Sequence, residues 1–184
     1  MAKPMKDLEL FTVEEVKERI DPFRVPVTIA VYGTENYFNL GGIIRLGHNF
    51  LVKEIICIDL PKHYKRADMG ARKYESIIKT SLADFRQLYA NRNIISCEMR
   101  FGLISKDIRY YQYPEDPIIL FGSEKFGVPS ELLNMSIDII SVPVFGVQND
   151  HNVNVVTGMV LYDFCVKNPQ YYNTRPLGDL PSVN

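Results

Sequence analysis

Residues 117–165 read PIILFGSEKFGVPSELLNMSIDIISVPVFGVQNDHNVNVVTGMVLYDFC, and this stretch decides the fold. Its first apolar run, 117–121, predicts a short strand that ends in a glycine turn. A second apolar run, 137–144, predicts another strand, and the polar residues after it suit a turn and a helix N-cap. From Val153 onward the apolar residues recur at helical spacing, which predicts a long helix. Two strands thus deliver two polar loops to one edge of a sheet, where ligands bind in open α/β proteins.

The rest of the chain alternates between strand and helix patterns. Thr12 and Glu15 fit a capping box that begins a short helix. Further strands are predicted at 26–32, 54–60 and 93–98, and further helices from about 39 and from 82 to about 89. Residues 61–79 read as basic and irregular, and 99–116 as poorly patterned with room for one short strand. The alternation predicts an α/β fold with a mostly parallel sheet that helices cover on both faces.

Length and composition favour one domain. The chain has 184 residues, of which 46% are hydrophobic, enough to build one core. We expect a helical N-terminal extension over 1–25, the main domain over 26–167 and an irregular tail over 168–184. No window approaches the roughly 20 consecutive apolar residues that span a bilayer, and the N-terminus lacks the apolar core of a signal peptide. These features predict a cytoplasmic protein with no membrane partner.

The cysteine pattern argues against both disulfides and a metal site. Cys57, Cys97 and Cys165 are far apart in the sequence and lie in apolar surroundings. An odd number of cysteines without metal-ligand spacing predicts reduced thiols and no bound metal. The common nucleotide, hydrolase and metalloprotease motifs are also missing from the sequence.

The overall charge does not favour a nucleic-acid partner, but one segment does. The net charge is −1 and the pI is about 6.3, whereas a basic domain is the usual sign of nucleic-acid binding. One segment combines two tyrosines with a cluster of basic residues, namely Lys62, Lys65, Arg66, Arg72 and Lys73. This composition suits an RNA backbone with stacked bases, and a solubilising loop is the alternative interpretation.

Three segments of the chain carry candidate chemistry. Asn39 and Arg45 share one face of a predicted helix, and an arginine near a helix N-terminus suits phosphate binding. Glu124 directly follows a predicted strand, and Asn152 lies at the start of the last helix. Each has a plain alternative: Arg45 as a surface residue, Glu124 as a solvated turn carboxylate and Asn152 as an N-cap.

Three motifs in order resemble those of a known family. They are N-x-x-N-x-G-x-I-x-R from Asn36, LFGSE-x-x-G-x-x-x-E-L from Leu120, and V-P-V-x-G followed by N-V-N-V and LY from Val142. Residues 70–73, Gly-Ala-Arg-Lys, match a further short segment. Together these features resemble the SpoU/TrmH branch of the SPOUT RNA methyltransferases, over roughly residues 27–165.

The resemblance implies a fold and an activity. Such proteins bind S-adenosylmethionine in a deep C-terminal trefoil knot, act as homodimers and methylate a ribose 2′-hydroxyl of tRNA or rRNA. By motif match, the catalytic residues are Arg45, Asn39, Glu124 and Asn152. The cofactor contacts, largely backbone groups, fall at Gly122, Val142 and His151 with the neighbours Cys97, Phe121 and Val153.

The third motif departs from the family pattern and leaves alternatives open. The family usually has S-L-N-V-S where this chain has Asp150-His151-Asn152-Val153-Asn154. His151 replaces an apolar residue that packs over the cofactor, and Asn154 enlarges a serine. A knotted RNA-binding protein with weak or lost catalysis is therefore the second interpretation. A small-molecule α/β enzyme is the third, because the chain carries no basic excess.

Overall fold

The computed structural model of the chain describes residues 11–33, 36–60, 67–100, 102–147 and 150–172. These residues form seven strands and five α-helices. The strands are β1 (Val25–Tyr32), β2 (Val52–Ile58), β3 (Ile77–Thr80), β4 (Ile94–Cys97), β5 (Lys106–Asp107), β6 (Ile118–Phe121) and β7 (Asp138–Ser141). The helices are α1 (Val13–Ile20), α2 (Tyr37–Asn49), α3 (Leu82–Leu88), α4 (Ser130–Leu133) and α5 (Val153–Lys167).

The strands form one sheet in the order β3-β2-β1-β6-β4-β7-β5, and every pairing is parallel. Helices α2 and α5 cover one face, and α3 and α4 cover the other. Central strands are therefore buried on both sides, as parallel sheets require. In β1, Ile29 and Val31 pack toward α2 and α5, whereas Ala30 packs toward α3 and α4. The predicted α/β class is confirmed.

Local sequence signals placed most of the elements correctly. Thr12 and Glu15 form the predicted capping box of α1, and Ser81 caps α3 through the N–H of Asp84. The short strand predicted within 99–116 is β5. Helix α2 begins two residues earlier than expected, because the side chain of Asn36 accepts a hydrogen bond from Phe38 N–H and caps it there.

The prediction that 61–79 is irregular was wrong where the structure describes it. Ala71–Lys73 forms a 3₁₀ turn, and Ile77 begins the edge strand β3. This strand contains only Ile-Ile-Lys-Thr, which is too short for an alternating pattern to emerge from its neighbours. The strand forms because its backbone hydrogen-bonds in parallel to β2, a strand that is distant in the sequence. Residues 61–66 lie outside the described part.

Buried ion pairs join three distant segments at the amino-terminal side of the sheet. The guanidinium of Arg24 donates to the fully buried carboxylate of Glu75 at 2.8 Å and to the carbonyl of Tyr74 at 2.6 Å. The ring of His48, at the end of α2, lies 2.7 Å from the other oxygen of Glu75. A buried carboxylate needs such partners. They attach the segment after α1 to the main sheet.

The predicted tail is ordered as far as the structure describes it. Pro169–Tyr171 is a 3₁₀ turn, the ring of Tyr171 stacks on Phe164 at 6.5 Å between centroids, and Tyr172 packs against the core. Residues 173–184 lie outside the described part. The division into an extension over 1–25, a domain over 26–167 and a tail over 168–184 stays a prediction.

The carboxyl-terminal half has overlapping connections. The chain runs from β4 to the edge strand β5, returns to β6 on the other side of β4, and crosses again to β7. Ordinary α/β proteins avoid such crossings on one sheet. They are the type of connection that a knotted chain needs, and the trefoil knot itself stays a prediction.

Helices α2 and α5 approach each other closely at two glycines. A Cβ built on Gly42 would lie 2.4 Å from Nδ2 of Asn154, whose side chain fills the space above it. A Cβ on Gly158 would lie 3.6 Å from the methyl groups of Leu46, an ordinary contact. The asparagine that departs from the family's third motif therefore packs against a residue of the first.

The two glycines should respond oppositely to alanine. We expect Gly42→Ala to lower the free energy of unfolding by about 1–3 kcal/mol, because the new methyl collides with the side chain of Asn154. Gly158→Ala should instead raise it by up to about 1 kcal/mol through helix propensity. Urea unfolding followed by circular dichroism measures both.

A double variant identifies the cause. Asn154→Ser makes room for a methyl group at position 42, so the pair Gly42→Ala, Asn154→Ser should recover most of the loss. Equal stability of Gly42→Ala and Gly158→Ala would contradict the packing described above.

Candidate functional site

A cavity of about 530 Å³ opens at the carboxyl ends of β4, β6 and β7. Its size is within the range of small-molecule sites. All six predicted cofactor contacts line it, namely Cys97, Phe121, Gly122, Val142, His151 and Val153. Glu124 and Asn152, two of the predicted catalytic residues, line it as well. Loops from three parallel strands therefore meet where the sequence predicted that two of them would.

The loop from Gly122 to Val128 is closed on itself. Ser123 and Gly127 exchange two backbone hydrogen bonds, of 3.2 and 2.8 Å, and the Ser123 hydroxyl accepts a third from Phe126 N–H. Gly127 adopts a φ of +67°, which favours glycine. A Cβ on Gly122 would lie 2.1 Å from the carbonyl carbon of Gly127. The bare backbone of Gly122 therefore sets how tightly this loop closes beside the cavity.

Two charged side chains hold the far end of the same loop. Oε2 of Glu98 accepts a hydrogen bond of 2.6 Å from Val128 N–H, and Arg100 donates to the carbonyls of Phe126 and Val128 at 3.1 Å. Arg100 also lies 3.4 Å from Glu98. Both residues line the cavity. Sequence reasoning missed them, although a glutamate directly after a buried strand was a usable signal.

Three amide and carboxylate side chains connect the three sequence motifs. Nδ2 of Asn39 donates to Oε1 of Glu124, and Nδ2 of Asn152 donates to Oδ1 of Asn39 at 3.2 Å. Oδ1 of Asn152 accepts from Asn154 N–H at 3.0 Å, so this residue is also the predicted N-cap of α5. Asn39 is 7% exposed. Glu124 is exposed but partnered, so it is more than a solvated turn carboxylate.

His151 and Asp150 lie at the cavity wall without blocking it. The ring of His151 places Nε2 3.2 Å from the carbonyl of Pro143, a contact that requires a hydrogen on Nε2. It joins the two ends of the connection between β7 and α5. Among the described residues, the cavity wall carries three acidic and two basic side chains, which are Glu98, Glu124 and Asp150 against Arg100 and Lys125. This balance favours a ligand with a net positive charge.

The thiol of Cys97 forms part of the apolar wall. Burial, with a smaller effect from the nearby carboxylate of Glu98, raises its pKa to about 12. Burial likewise raises the pKa of Cys57 to about 11. Both thiols therefore stay protonated near neutral pH, and the three cysteines are free. Within the described residues, no group of three potential metal ligands comes together.

Arg45 lies apart from the other predicted catalytic residues. It is the ninth residue of α2, is exposed, and is not among the residues that line the cavity. Six residues of α-helix place it about 9 Å along the axis from Asn39. Arg45 therefore lies in the third turn of α2, roughly 8–12 Å along the axis from the residues of the first turn and farther from the helix N-terminus than the sequence pattern predicted.

The predicted RNA-binding segment is described only in part. Lys62, Lys65 and Arg66 lie outside the described residues. Arg72 donates to the buried carboxylate of Asp68 at 2.8 Å, and Lys73 is exposed. Arg72 therefore has a structural role in addition to any contact with RNA. No helix in the described part is long and apolar enough to cross a membrane.

The chain is similar to characterised sequences. The model of the SpoU rRNA Methylase family matches residues 26–162. A tRNA (guanosine(18)-2′-O)-methyltransferase of Saccharomyces cerevisiae is 24% identical over 138 residues, which is 70% of this chain and 10% of the yeast protein. The enzyme of the same name from Thermus thermophilus is 32% identical over 59 residues, 32% of this chain and 30% of that protein. The chain thus spans less than a third of either relative.

Solved structures share the fold. The A. aeolicus TrmH/SpoU tRNA modifying enzyme superposes with a TM-score of 0.74 at 20% identity, over 89% of this chain and 86% of that one. The AdoMet-bound rRNA methyltransferase of Sinorhizobium meliloti superposes with a TM-score of 0.69 at 23% identity, over 76% and 56%. The family match spans the sheet, the cavity and all three motifs, and we conclude that this chain belongs to the SpoU rRNA methylase family.

Proposed function

We propose that the protein transfers a methyl group from S-adenosylmethionine to a ribose 2′-hydroxyl of tRNA or rRNA. One observation carries this proposal: the six residues predicted to contact the cofactor line one cavity, beside the hydrogen-bonded Asn39, Glu124 and Asn152. The names of the yeast and Thermus relatives support a tRNA substrate. The cytoplasmic location and the lack of a metal stay predictions.

The residues at the cavity suit S-adenosylmethionine. The cofactor supplies an electrophilic methyl group on a positively charged sulfur. Phe121, Cys97 and Val153 provide an apolar wall for its uncharged parts. The carboxylates of Glu98 and Asp150 favour its positive groups. The backbone beside Gly122, which has no room for a side chain, lets main-chain groups approach the ligand closely.

Arg45 is proposed to act on the RNA. A guanidinium does not give up its proton in proteins, so Arg45 is a poor general base. We assign it to hold a phosphate of the target nucleotide and to stabilise negative charge that develops on the 2′-oxygen. S-adenosylmethionine held by the cavity residues would supply the methyl group from its sulfur to the 2′-oxygen, and the hydroxyl proton would pass to phosphate or water. Alignment of the three atoms supplies much of the acceleration.

A homodimer would explain why Arg45 does not line the cavity of its own chain. Helix α5 is apolar on both sides, a pattern typical of a helix that is buried all round. One side packs in the core, and the other exposes a regular stripe of large side chains, namely Val155, Met159, Tyr162 and Val166. We propose that this stripe packs against a second copy of the chain, and that Arg45 of each subunit serves the cavity of its partner.

Cofactor binding is tested at Gly122. Gly122→Ala should abolish binding of S-adenosylmethionine, because the methyl group collides with backbone and opens the loop. Gly158→Ala is the matched control, since a Cβ there makes only an ordinary contact of 3.6 Å with Leu46. Isothermal titration calorimetry measures binding, and circular dichroism checks folding. If the unmodified protein does not bind, the RNA-binding protein with weak or lost catalysis becomes the better interpretation.

The role of Arg45 is tested by methylation of total tRNA. Arg45→Ala should lower the rate about 10²- to 10³-fold, the usual loss of one transition-state donor, with unchanged cofactor affinity. Arg86→Ala, an exposed arginine on the opposite face, should keep the rate. Incorporation of labelled methyl groups, followed by mapping of the 2′-O-methyl position, gives the readout. A near-normal rate for Arg45→Ala would remove it from catalysis.

Mixed dimers test whether Arg45 acts across the interface. A dimer of one Arg45→Ala subunit and one Gly122→Ala subunit keeps one intact cavity and one arginine, on different chains. If the arginine serves the partner, this dimer methylates RNA, although each homodimer is inactive. An inactive mixed dimer would place Arg45 in its own chain's site.

The interface is tested by charge. Tyr162→Asp places a carboxylate in the proposed apolar stripe and should convert dimers to monomers in light scattering coupled to size-exclusion chromatography. Leu88→Asp is the control, because Leu88 is 71% exposed on α3, which covers the opposite face of the sheet. An unmodified protein that is monomeric at micromolar concentration would contradict the dimer.

A further inference from the structure

A second cavity, of about 480 Å³, lies on the same side of the sheet as the first, where the strands have their carboxyl ends. Cys57 in β2 and Ile77 in β3 form its floor, and Leu40 of α2 closes one side. These side chains belong to the face of the sheet that α2 and α5 cover. The cavity is therefore a gap between α2, the carboxyl end of β2 and the short strand β3. Ligands of parallel α/β sheets bind outside the carboxyl ends of the strands.

The rim of this cavity is basic. Lys73 and Lys79 are exposed there, and Lys79 is paired in register with Cys57, so its ammonium group stands above the floor. Arg72 also lies at the rim, with its charge directed partly to Asp68. No acidic side chain lines the cavity among the described residues. An apolar floor under two lysines suits a ligand with an uncharged flat part and a negative group.

The position of the cavity connects it to the first one. Leu40 follows Asn39, so the first turn of α2 has one cavity on each side. Strand β2 lies two strands from β6, which is roughly 10 Å at the spacing of a sheet. This distance is short enough for one single-stranded RNA segment to reach both cavities.

We propose that the second cavity holds a nucleotide that neighbours the methylated one. Its base lies on the floor beside Cys57 and Ile77, and its phosphate contacts Lys73 and Lys79. Proteins recognise single-stranded RNA by taking up splayed bases in this way. The floor has few hydrogen-bonding groups, so the cavity accepts a nucleotide without strong preference among bases. This assignment rests on the proposed RNA methyltransferase function.

The first experiment measures RNA binding against salt. Binding of total tRNA to Lys73→Ala, Lys79→Ala should weaken about tenfold near physiological salt, and the slope of log affinity against log salt should fall by roughly 0.7 for the one single-strand phosphate that both lysines contact. Lys53→Ala is the control, because Lys53 lies at the opposite end of β2 and pairs with Asp116 at 3.0 Å. In methylation assays the double variant should raise KM for RNA and leave kcat unchanged. Unchanged tRNA affinity and slope would overturn the proposal.

The second experiment tests entry of the base. Uridine 5′-monophosphate lacks the adenine that the first cavity is proposed to hold, so it is a suitable probe. It should bind at least tenfold more tightly than inorganic phosphate, and Ile77→Phe, which fills the floor, should remove that difference. Equal binding of both probes to the unmodified protein would overturn the proposal.

The two proposals fail separately. If the unmodified protein does not bind S-adenosylmethionine, the methyltransferase assignment is wrong. Binding of uridine 5′-monophosphate would still test whether the second cavity takes up a nucleotide. Normal methylation by Lys73→Ala, Lys79→Ala with unchanged KM would end the nucleotide assignment alone. Because the lysines are exposed, their replacement leaves the fold intact and keeps the test valid even if Ile77→Phe is unstable.

Discussion

The amide of Asn39 is the point on which the site depends. It donates to Glu124, 85 residues away, and accepts from Asn152, 113 residues away. A buried amide must find partners for both its oxygen and its nitrogen, or the fold pays for their desolvation. Satisfying this one side chain fixes the start of α2, the loop after β6 and the start of α5 in a single arrangement. The shape of the larger cavity follows from these three positions.

The charge around each cavity tells more about its ligand than the net charge of the chain does. The chain has a net charge of −1, which by itself says little about an RNA partner. Around the first cavity acidic groups exceed basic ones, whereas the second cavity has lysines at its rim and no acid among the described residues. The first cavity thus favours a positively charged small molecule, and the second favours a polyanion. Both lie on the side of the sheet where the strands have their carboxyl ends. Separation of this kind lets a nearly neutral protein bind both.

Helix caps and motifs could be predicted from the sequence, whereas contacts between segments that are distant in the sequence could not. Asn152 was predictable as an N-cap because cap and helix are adjacent, and the cavity residues were predicted from the resemblance of the three motifs to those of the family. Strand β3 was missed because four residues carry too little pattern to reveal a strand that its neighbour stabilises. The contacts of Glu98 with Val128 depend on how β4 and β6 pair, which no spacing encodes. The position of Arg45 outside the cavity also needed coordinates.

Because Cys97 is protonated, its sulfur is a poor target for methylation by a bound cofactor. Its sulfur faces a cavity proposed to hold a reactive alkylating agent, and a thiolate there would be a better nucleophile than a sugar hydroxyl. With a pKa of about 12, roughly one such thiol in 10⁵ is ionised at neutral pH. Burial of this sulfur therefore protects the protein from alkylating itself, and it does so without removing the cysteine.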